Sequence, residues 1–366
     1  MTEASRPDRL AALVAERDLD SLIVGDLVRP GDSGPDAIAN LRWLTGFTGT
    51  SGLAAVGPEL RLFVTDFRYV ERAEHEVEAS FEHRRAKERL VPALAEALSG
   101  RVGYDDARTS VRSLQRLSES IGEGVELIAV EGLVERLRRR KDAAELAAIE
   151  AAARLTDKVY EWIADRGLAG RTEREVARAA EARIRELGAE PSFPVIVAGG
   201  SNGALPHADP SEREIGDREL VVVDMGAVVD GYCSDCTRTF ATGELDGEAV
   251  EVYELVRSAQ ARAFGAIRAG VGGPEADSAA REPIAAAAHG EHFGHGLGHG
   301  VGLEVHEAPR LSQRSEDTLE AGDVVTVEPG VYVPGRFGVR IEDLVTVTDD
   351  GHRNLSSVPK ELRIVG

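Results

Sequence analysis

Cysteine is nearly absent from this sequence: only Cys233 and Cys236 occur in 366 residues. A chain so long and so poor in cysteine is not a small disulfide-held protein. The C-x-x-C spacing could indicate a redox or zinc site, but the surrounding run, YCSDCTRTF, favours an extended strand. Residues three apart on a strand point to opposite faces. We therefore expect no functional pairing of the two thiols.

Long apolar runs and an excess of positive charge are also missing. No run of about 18 apolar residues is present, as a membrane-spanning helix would need, and the polar residues 1–9 do not resemble an export signal. Lys and Arg number 43 against 64 Asp and Glu, and the formal charge of -21 repels nucleic acid and anionic membranes. The sequence predicts a cytoplasmic protein with neither as a partner.

The length and the pattern of elements predict two domains. Residues 1–140 alternate short apolar strands with helical patterns, which indicates an α/β layer domain. The predicted strands are 21–24, 52–56 and 62–65, and the predicted helices are 7–17 and 68–77. Helix-favouring residues run from 133 to 163, and we place the domain boundary near Arg140.

The second domain, residues 141–366, has an α+β order of elements. Its β-rich runs flank Asp230-Gly231, which is a strong β-hairpin signal. The predicted elements are a helix at 173–187, a strand pair at 219–227 and 232–242, helices at 247–269 and 274–288, and a strand pair at 324–333 and 339–347. This order lacks the regular βαβ alternation of a doubly wound sheet.

Asp224 and Asp235 lie on the two arms of the predicted hairpin, at similar distances from its turn. Their side chains can therefore converge on one face of the strand pair. Two carboxylates so close repel each other unless a cation lies between them. A chance pair is common among 64 acidic residues. Both aspartates occupy apolar or strand-forming runs, however, where an unpaired buried carboxylate is costly, and this setting favours a metal-binding pair.

Histidines cluster in a glycine-rich run of the second domain. Five of the nine fall in a short segment: His289, His292, His295, His299 and His306. Glycines on both sides of His299 let the backbone approach a bound ligand or ion closely. A lone histidine here could be structural, whereas one among glycines and followed by His306 is a candidate metal ligand.

Glu328 and Glu342 occupy the centres of two predicted apolar strands, VTVEPG and VRIED. They can face one another across that strand pair, although exposed glutamates on amphipathic strands would give the same pattern. Four carboxylates and one imidazole would make an oxygen-rich site suited to two divalent ions, such as manganese, cobalt or zinc. Two such ions that share a water lower its pKa and can generate hydroxide near neutral pH.

The ordered motifs VVDMG, YCSDCTRTF, GHGLGHGVGLEVHE, VEPG and VRIED resemble those of the pita-bread metallopeptidases, the family of prolidase, aminopeptidase P and methionine aminopeptidase. The spacings between Asp224 and Asp235 and between His299 and His306 are also those of the family. The runs LRWLTGFTGTSG and TDFRY are similar to the smaller domain of prolidases and aminopeptidase P. The resemblance implies a pita-bread catalytic domain preceded by a creatinase-like N-terminal α/β domain.

The resemblance also implies a role for each metal ligand. Asp224 would chelate one ion, and Asp235 and Glu342 would bridge both ions. His299 would bind the other ion, with Glu328 completing its ligand shell. Glu328 would also act as general base and then acid around the bridging hydroxide. Manganese is the expected metal, with cobalt or zinc as the alternatives.

Five further residues match the substrate-binding positions of the family. His207 would lie beside the scissile bond, and His306 would stabilise the tetrahedral intermediate. His295 would line the pocket, and Arg340 would support the ligands. Arg310 is similar to the prolidase arginine that contacts the free carboxylate of a dipeptide, although an ordinary surface-exposed arginine would give the same sequence pattern. The resemblance implies cleavage of Xaa-Pro dipeptides or of Xaa-Pro peptide N-termini by a homodimer.

Two other readings remain open. One is a metal-free, creatinase-like hydrolase that acts on a small C–N substrate, and the other is a non-catalytic peptide- or protein-binding scaffold of the same fold. Such proteins lose or tolerate the loss of ligand carboxylates, whereas this chain keeps all five ligands. The intact set favours the two-metal peptidase.

Overall fold

The computed structural model describes residues 4–27 and 38–366. The chain folds into two compact units, which divide between Arg138 and Arg139. None of the described helices is both long and apolar enough to cross a membrane.

The N-terminal unit is an α/β layer built on a six-stranded sheet. Its strands are β1 (Ser21–Val24), β2 (Gly52–Val56), β3 (Arg61–Thr65), β4 (Glu82–Arg85), β5 (Gly100–Asp105) and β6 (Val125–Val130). Its helices are α1 (Arg6–Glu16), α2 (Ala39–Thr45), α3 (Val70–Glu76), α4 (Leu90–Ala95), α5 (Val111–Ser120) and α6 (Leu133–Arg138). The strand order is β4-β3-β2-β1-β5-β6, with β1 parallel to β5 and antiparallel to β2. The predicted α/β architecture is confirmed.

The C-terminal unit mixes four long helices with several small sheets. Its helices are α7 (Ala143–Arg166), α8 (Glu173–Glu186), α9 (Gly247–Phe264) and α10 (Gly273–Ala286). Its strands are β7 (Glu190–Pro191), β8 (Ile196–Gly199), β9 (Leu220–Met225), β10 (Ala227–Val229), β11 (Tyr232–Cys233), β12 (Cys236–Ala241), β13 (Gly298–Gly300), β14 (Glu307–Leu311), β15 (Val324–Val327), β16 (Gly330–Val333), β17 (Phe337–Arg340), β18 (Asp343–Val347) and β19 (His352–Asn354). The antiparallel groups include β12-β9-β8 and β14-β13-β15-β18-β19. The predicted α+β class is confirmed.

Local sequence signals set the helix starts in both units. Ser5 caps α1 and Asp142 caps α7, and in each helix the acidic side chain three positions on accepts a hydrogen bond from the backbone N–H of the capping residue. This reciprocal capping box satisfies backbone N–H groups that the first helical turn leaves without partners. Because α7 has its own cap at Asp142, the helix-favouring run that begins at residue 133 divides into α6 and α7.

The hairpin predicted at Asp230-Gly231 is present. The two residues have φ angles of 48° and 79°, the positive values that a tight hairpin turn requires. Asp224 lies within β9 and pairs with Thr237 of β12. Asp235 lies off the ladder, in the short connection between β11 and β12. The predicted continuous strand over 232–242 is therefore interrupted just where its aspartate is placed.

The strands predicted at 324–333 and 339–347 are also interrupted, each at its glutamate. Glu328 lies between β15 and β16, and Glu342 lies between β17 and β18, so the prediction that both sit at strand centres is wrong. β15 pairs with β18, whereas β16 pairs with β17. Pro329 has no N–H to donate to a ladder, which explains the break beside Glu328. Both glutamates thus lie at the junction of two ladders.

Candidate active site

One cleft of about 510 Å³ in the C-terminal unit is lined by all ten residues that the family resemblance marks as metal ligands or substrate-binding residues, whereas His289 and His292 of the histidine cluster do not line it. The ten residues are Asp224, Asp235, His299, Glu328 and Glu342, together with His207, His295, His306, Arg310 and Arg340. The ladder interruptions place most of the acidic groups where strands end, and a side chain at a strand end is free of the alternation that a continuous ladder imposes.

Asp235, His299 and Glu342 form the centre of the cluster. Each offers one ligand atom, and these three atoms lie within 4.8 Å of one another. His299 Nε2 lies 3.7 Å from an oxygen of Asp235 and 3.3 Å from an oxygen of Glu328. Carboxylate oxygens and an imidazole nitrogen at such separations are the donors that divalent ions of the manganese-to-zinc series accept.

Within the acidic cluster, two buried carboxylates each keep one oxygen without a hydrogen-bond partner among the described residues. Arg340 donates to Oδ2 of Asp224 at 2.6 Å, and Thr237 donates to Oε2 of Glu342 at 2.7 Å. The other oxygens, Oδ1 of Asp224 and Oε1 of Glu342, are buried and unpaired. Leaving such atoms unpaired is costly unless a cation or water satisfies them. The residues therefore fit a site for divalent metal ions.

The pKa shifts of the cluster carboxylates also indicate a site for cations. Burial, followed by the charges of Glu342 and Asp224, raises the pKa of Asp235 well above its ordinary value. Burial, followed by the charges of Glu328 and Asp224, likewise raises the pKa of Glu342. Burial also raises the pKa of Asp224, although the Arg340 guanidinium opposes this. Carboxylates so placed ionise together only when positive charge is supplied among them.

Glu328 differs from the other carboxylates because it contacts His299. Burial acts to raise the pKa of Glu328, but its hydrogen bond to His299 and the charge of that ring prevail and lower the pKa to about 2. Burial acts to lower the pKa of His299, but the hydrogen bond to Glu328 and the charge of that carboxylate prevail and raise it. The Nδ1 atom of His299 lies 3.1 Å from the carbonyl oxygen of Gly300. If a metal ion were bound, the ring would be neutral with its proton on Nδ1, and its Nε2 lone pair would face the ion and no longer donate to Glu328.

The glycines beside His299 serve strand packing. A Cβ atom on Gly298 would lie 2.0 Å from the carbonyl oxygen of Thr326, and one on Gly300 would lie 2.2 Å from that of Ala308. Real Cβ atoms do not approach so closely, so only glycine allows β13 to pack against its neighbours here. The His299 backbone N–H also donates to the Thr326 hydroxyl at 3.1 Å. These contacts fix the ring in the cleft.

Tyr332 is a cleft residue that the sequence analysis missed. Its hydroxyl lies 2.9 Å from Nε2 of His295 and accepts a hydrogen bond from Arg340 at 2.9 Å. Tyr332 thereby connects His295 with the guanidinium that holds Asp224. In the sequence, Tyr332 is one aromatic residue in an apolar strand, a pattern that ordinarily indicates core packing, so no local signal marks it.

His207, His306 and Arg310 lie at the exposed rim of the cleft. The ring of His306 lies 4.3 Å from that of His299, centroid to centroid. Burial, and then the charge of His299, lowers the pKa of His306. Arg310 pairs with His299 across β13 and β14, which carries its side chain to the same cleft. These cationic or N–H-bearing groups face the space beside the acidic cluster.

Comparisons with known proteins agree with this geometry. Residues 147–349 match the profile of metallopeptidase family M24, and residues 6–140 match that of the Creatinase/Prolidase N-terminal domain. The Xaa-Pro dipeptidase of Pyrococcus furiosus is 42% identical over 64% of this chain and 67% of its own length.

Two solved structures also resemble this chain. An Xaa-Pro dipeptidase from Bacillus anthracis has a TM-score of 0.92 and 37% identity, covering 98% of this chain and 99% of that one. An X-Pro aminopeptidase from Thermotoga maritima has a TM-score of 0.88 and 33% identity, covering 98% and 100%. The resemblance seen in the sequence motifs is therefore confirmed, and the chain belongs to metallopeptidase family M24.

Proposed function

We propose that this chain is a two-metal peptidase that hydrolyses the Xaa-Pro bond of dipeptides or of peptide N-termini. The observation that carries this proposal is the buried acidic cluster, in which Asp224 and Glu342 line the same cleft and each keep one unpaired oxygen. Relatives named Xaa-Pro dipeptidase and X-Pro aminopeptidase support the substrate class.

The proposed metal ligands are the five residues of the cluster: Asp224, Asp235, His299, Glu328 and Glu342. Manganese is the proposed metal, with cobalt or zinc as alternatives, because the donor set has four carboxylates and one imidazole. Bound divalent ions would polarise the scissile carbonyl and lower the pKa of a water held between them.

The chain's own groups would then move protons and bind the reacting peptide. Glu328 lines the cleft, with one carboxylate oxygen 3.3 Å from Nε2 of His299. Its carboxylate can accept a proton from the attacking water and return that proton to the departing proline nitrogen. His306 has a lowered pKa and is neutral at neutral pH, so it would donate an N–H to the developing oxyanion. We assign the same donor role to His207.

Residues on the rim and walls of the cleft bear on the length and shape of the substrate. Arg310 lies on the rim and is proposed to bind the carboxylate of a dipeptide. His295 and Arg340 are proposed to line the pocket and, with Tyr332, to hold its walls in place. A pocket shaped for a ring is needed because the tertiary amide and fixed φ of proline do not suit an ordinary extended cleft.

We also propose a homodimeric assembly and a cytoplasmic location. Cys233 and Cys236 are buried and do not form a disulfide, as is usual in a reducing compartment. Within each chain, residues 141–366 would form the catalytic domain and residues 1–140 the accessory domain. Sedimentation at working concentration tests the assembly, and a monomer alone would remove the dimer.

Hydrolysis of two peptides tests the proposed function. Purified protein is incubated with Ala-Pro and with Ala-Pro-Ala-Ala, with and without manganese. Proline release from Ala-Pro alone indicates a dipeptidase and supports Arg310 as the carboxylate anchor. Alanine release from the longer peptide indicates an aminopeptidase. Failure to cleave either peptide with manganese, cobalt or zinc contradicts the proposal and favours a non-catalytic scaffold.

A further inference from the structure

A buried carboxylate outside the metal-ligand cluster organises the segment that carries His207. Glu173 is the first residue of α8, and it is 0% exposed. Its carboxylate accepts hydrogen bonds from the backbone N–H of Gly199 at 2.8 Å and from the side-chain amide of Asn202 at 3.0 and 3.1 Å. It also accepts from the backbone N–H and the hydroxyl of Ser211, at 3.1 and 2.6 Å.

These donors belong to the two ends of a single segment, residues 199–211. Gly199 closes β8, the short helix Gly200–Ala204 follows, and the chain then passes through His207 before it reaches Ser211. One carboxylate therefore ties the start of the segment to its end. Its place in the first turn of α8 adds a favourable interaction between the side-chain oxygens and the backbone N–H end of the helix dipole.

The groups around Glu173 match a side chain with two acceptor oxygens. All of the contacts to Glu173 come from N–H or O–H donors, and both of its oxygens are used. A glutamine at this position would turn an NH2 group toward at least one of those donors. A buried donor would then face another donor. Segment 199–211 would lose a hydrogen bond while the volume of the side chain stays the same.

The middle of the segment is held against the strands of the metal site. Arg340 donates to the carbonyl oxygen of Pro206 at 3.2 Å. Gly338 packs so closely on Gly203 that an added Cβ would lie 1.8 Å from the Gly203 carbonyl oxygen. His207 itself is exposed, and within residues 4–27 and 38–366 no hydrogen bond of the structure holds its ring. The course of the backbone therefore determines where the side chain of His207 begins and which part of the cleft its ring can reach.

We propose that Glu173 is a positioning residue for His207. By fixing both ends of segment 199–211, its carboxylate holds the imidazole at the cleft without touching substrate. The inference rests on the proposed function, in which His207 contacts the peptide beside the scissile bond.

A double-mutant cycle tests this role. Glu173→Gln and His207→Ala are made singly and together, and kcat/KM for the better of the two test peptides is measured with manganese. Glu173→Gln alone should lower kcat/KM by about tenfold or more, and by less than about twofold when His207→Ala is already present. The bound metal per chain should stay unchanged in all three variants. Asn202→Ala, which removes one of the donors, should give a smaller loss with the same non-additivity.

Asp157→Asn is the matched control. Asp157 is 8% exposed and accepts from the backbone N–H and the hydroxyl of Ser357 at 3.0 and 2.5 Å, the same pair of serine donors that Ser211 offers to Glu173. Ser357 does not line the cleft. This control should lower the melting temperature and leave kcat/KM of the folded protein within about twofold.

Amide hydrogen exchange adds a readout that does not depend on hydrolysis. Exchange within residues 199–211 should accelerate in Glu173→Gln and stay unchanged in Asp157→Asn. Equal losses of kcat/KM with and without His207→Ala, or unchanged exchange in this segment, would overturn the positioning role. Failure of the proposed function would show in the wild-type protein alone, as no cleavage of either peptide, and the exchange result would still decide whether Glu173 orders residues 199–211.

Discussion

The floor and the rim of the cleft hold their side chains in different ways. On the floor, Asp235 and Glu342 are 5% and 2% exposed, and burial and short hydrogen bonds fix the cluster. On the rim, His207, His306 and Arg310 are exposed, and their positions depend on the backbone of two loops and a strand. A buried site that requires several charges at once should fail entirely when one is lost. A rim of separate donors should lose activity in steps.

The largest effect is expected on the floor. Asp235→Ala removes the carboxylate that shares the central space with His299 and Glu342. Hydrolysis should fall by at least about a thousandfold and should not return with added manganese, because the ion site itself is incomplete. Elemental analysis should show fewer than two ions per chain. Asp157→Asn, also a buried carboxylate, should keep both ions, and full activity in Asp235→Ala would remove the metal assignment.

Chelation should imitate that loss, but reversibly. Dialysis against a chelator leaves the floor carboxylates without a cation, so activity should disappear and the melting temperature should fall by several degrees. Adding manganese should restore both. A chelated protein with unchanged melting temperature would show that the ions do not lie among the buried carboxylates.

A step of intermediate size is expected on the rim. His306→Ala removes one N–H donor beside His299 and should lower kcat by about a hundredfold, the usual cost of one oxyanion donor. Metal content should stay at two ions per chain. His352→Ala, a half-buried histidine stacked on Phe264 outside the cleft, is the control and should leave kcat unchanged. Loss of metal in His306→Ala would show that His306 helps to hold the ions and is not only a donor to the substrate.

The smallest effect should depend on the substrate. Arg310→Ala should raise KM for Ala-Pro about tenfold, because one charge-assisted contact to the dipeptide carboxylate is lost. It should leave KM for Ala-Pro-Ala-Ala within about twofold, since that carboxylate lies farther along the peptide. Equal changes for both peptides would contradict the anchor role.

Features of the site that depend on local sequence could be predicted, whereas the ends of the strands could not. All five proposed ligands and five further residues were named from motifs, and the structure brings the ten into one cleft. The hairpin at Asp230-Gly231 was predictable because its turn chemistry is local. The breaks at Asp235, Glu328 and Glu342 were not, because a short apolar run does not reveal where one ladder ends and another begins.

Residues that act through long-range contacts were also beyond sequence reasoning. Tyr332 reads as a strand core residue, and only its contacts with His295 and Arg340 show another role. Glu173 reads as an ordinary acidic residue in the first turn of a helix. Its proposed role depends on hydrogen-bond donors that are 26 to 38 residues away in the sequence. No local pattern carries that information.

The most direct test of the central claim is a crystal structure of the protein grown with manganese, with the ions located by anomalous scattering. The buried cluster should hold two anomalous peaks, bounded by Asp224, Asp235, His299, Glu328 and Glu342. A cleft without peaks, in crystals of protein that cleaves Ala-Pro, would contradict the assignment of this cluster as the metal centre.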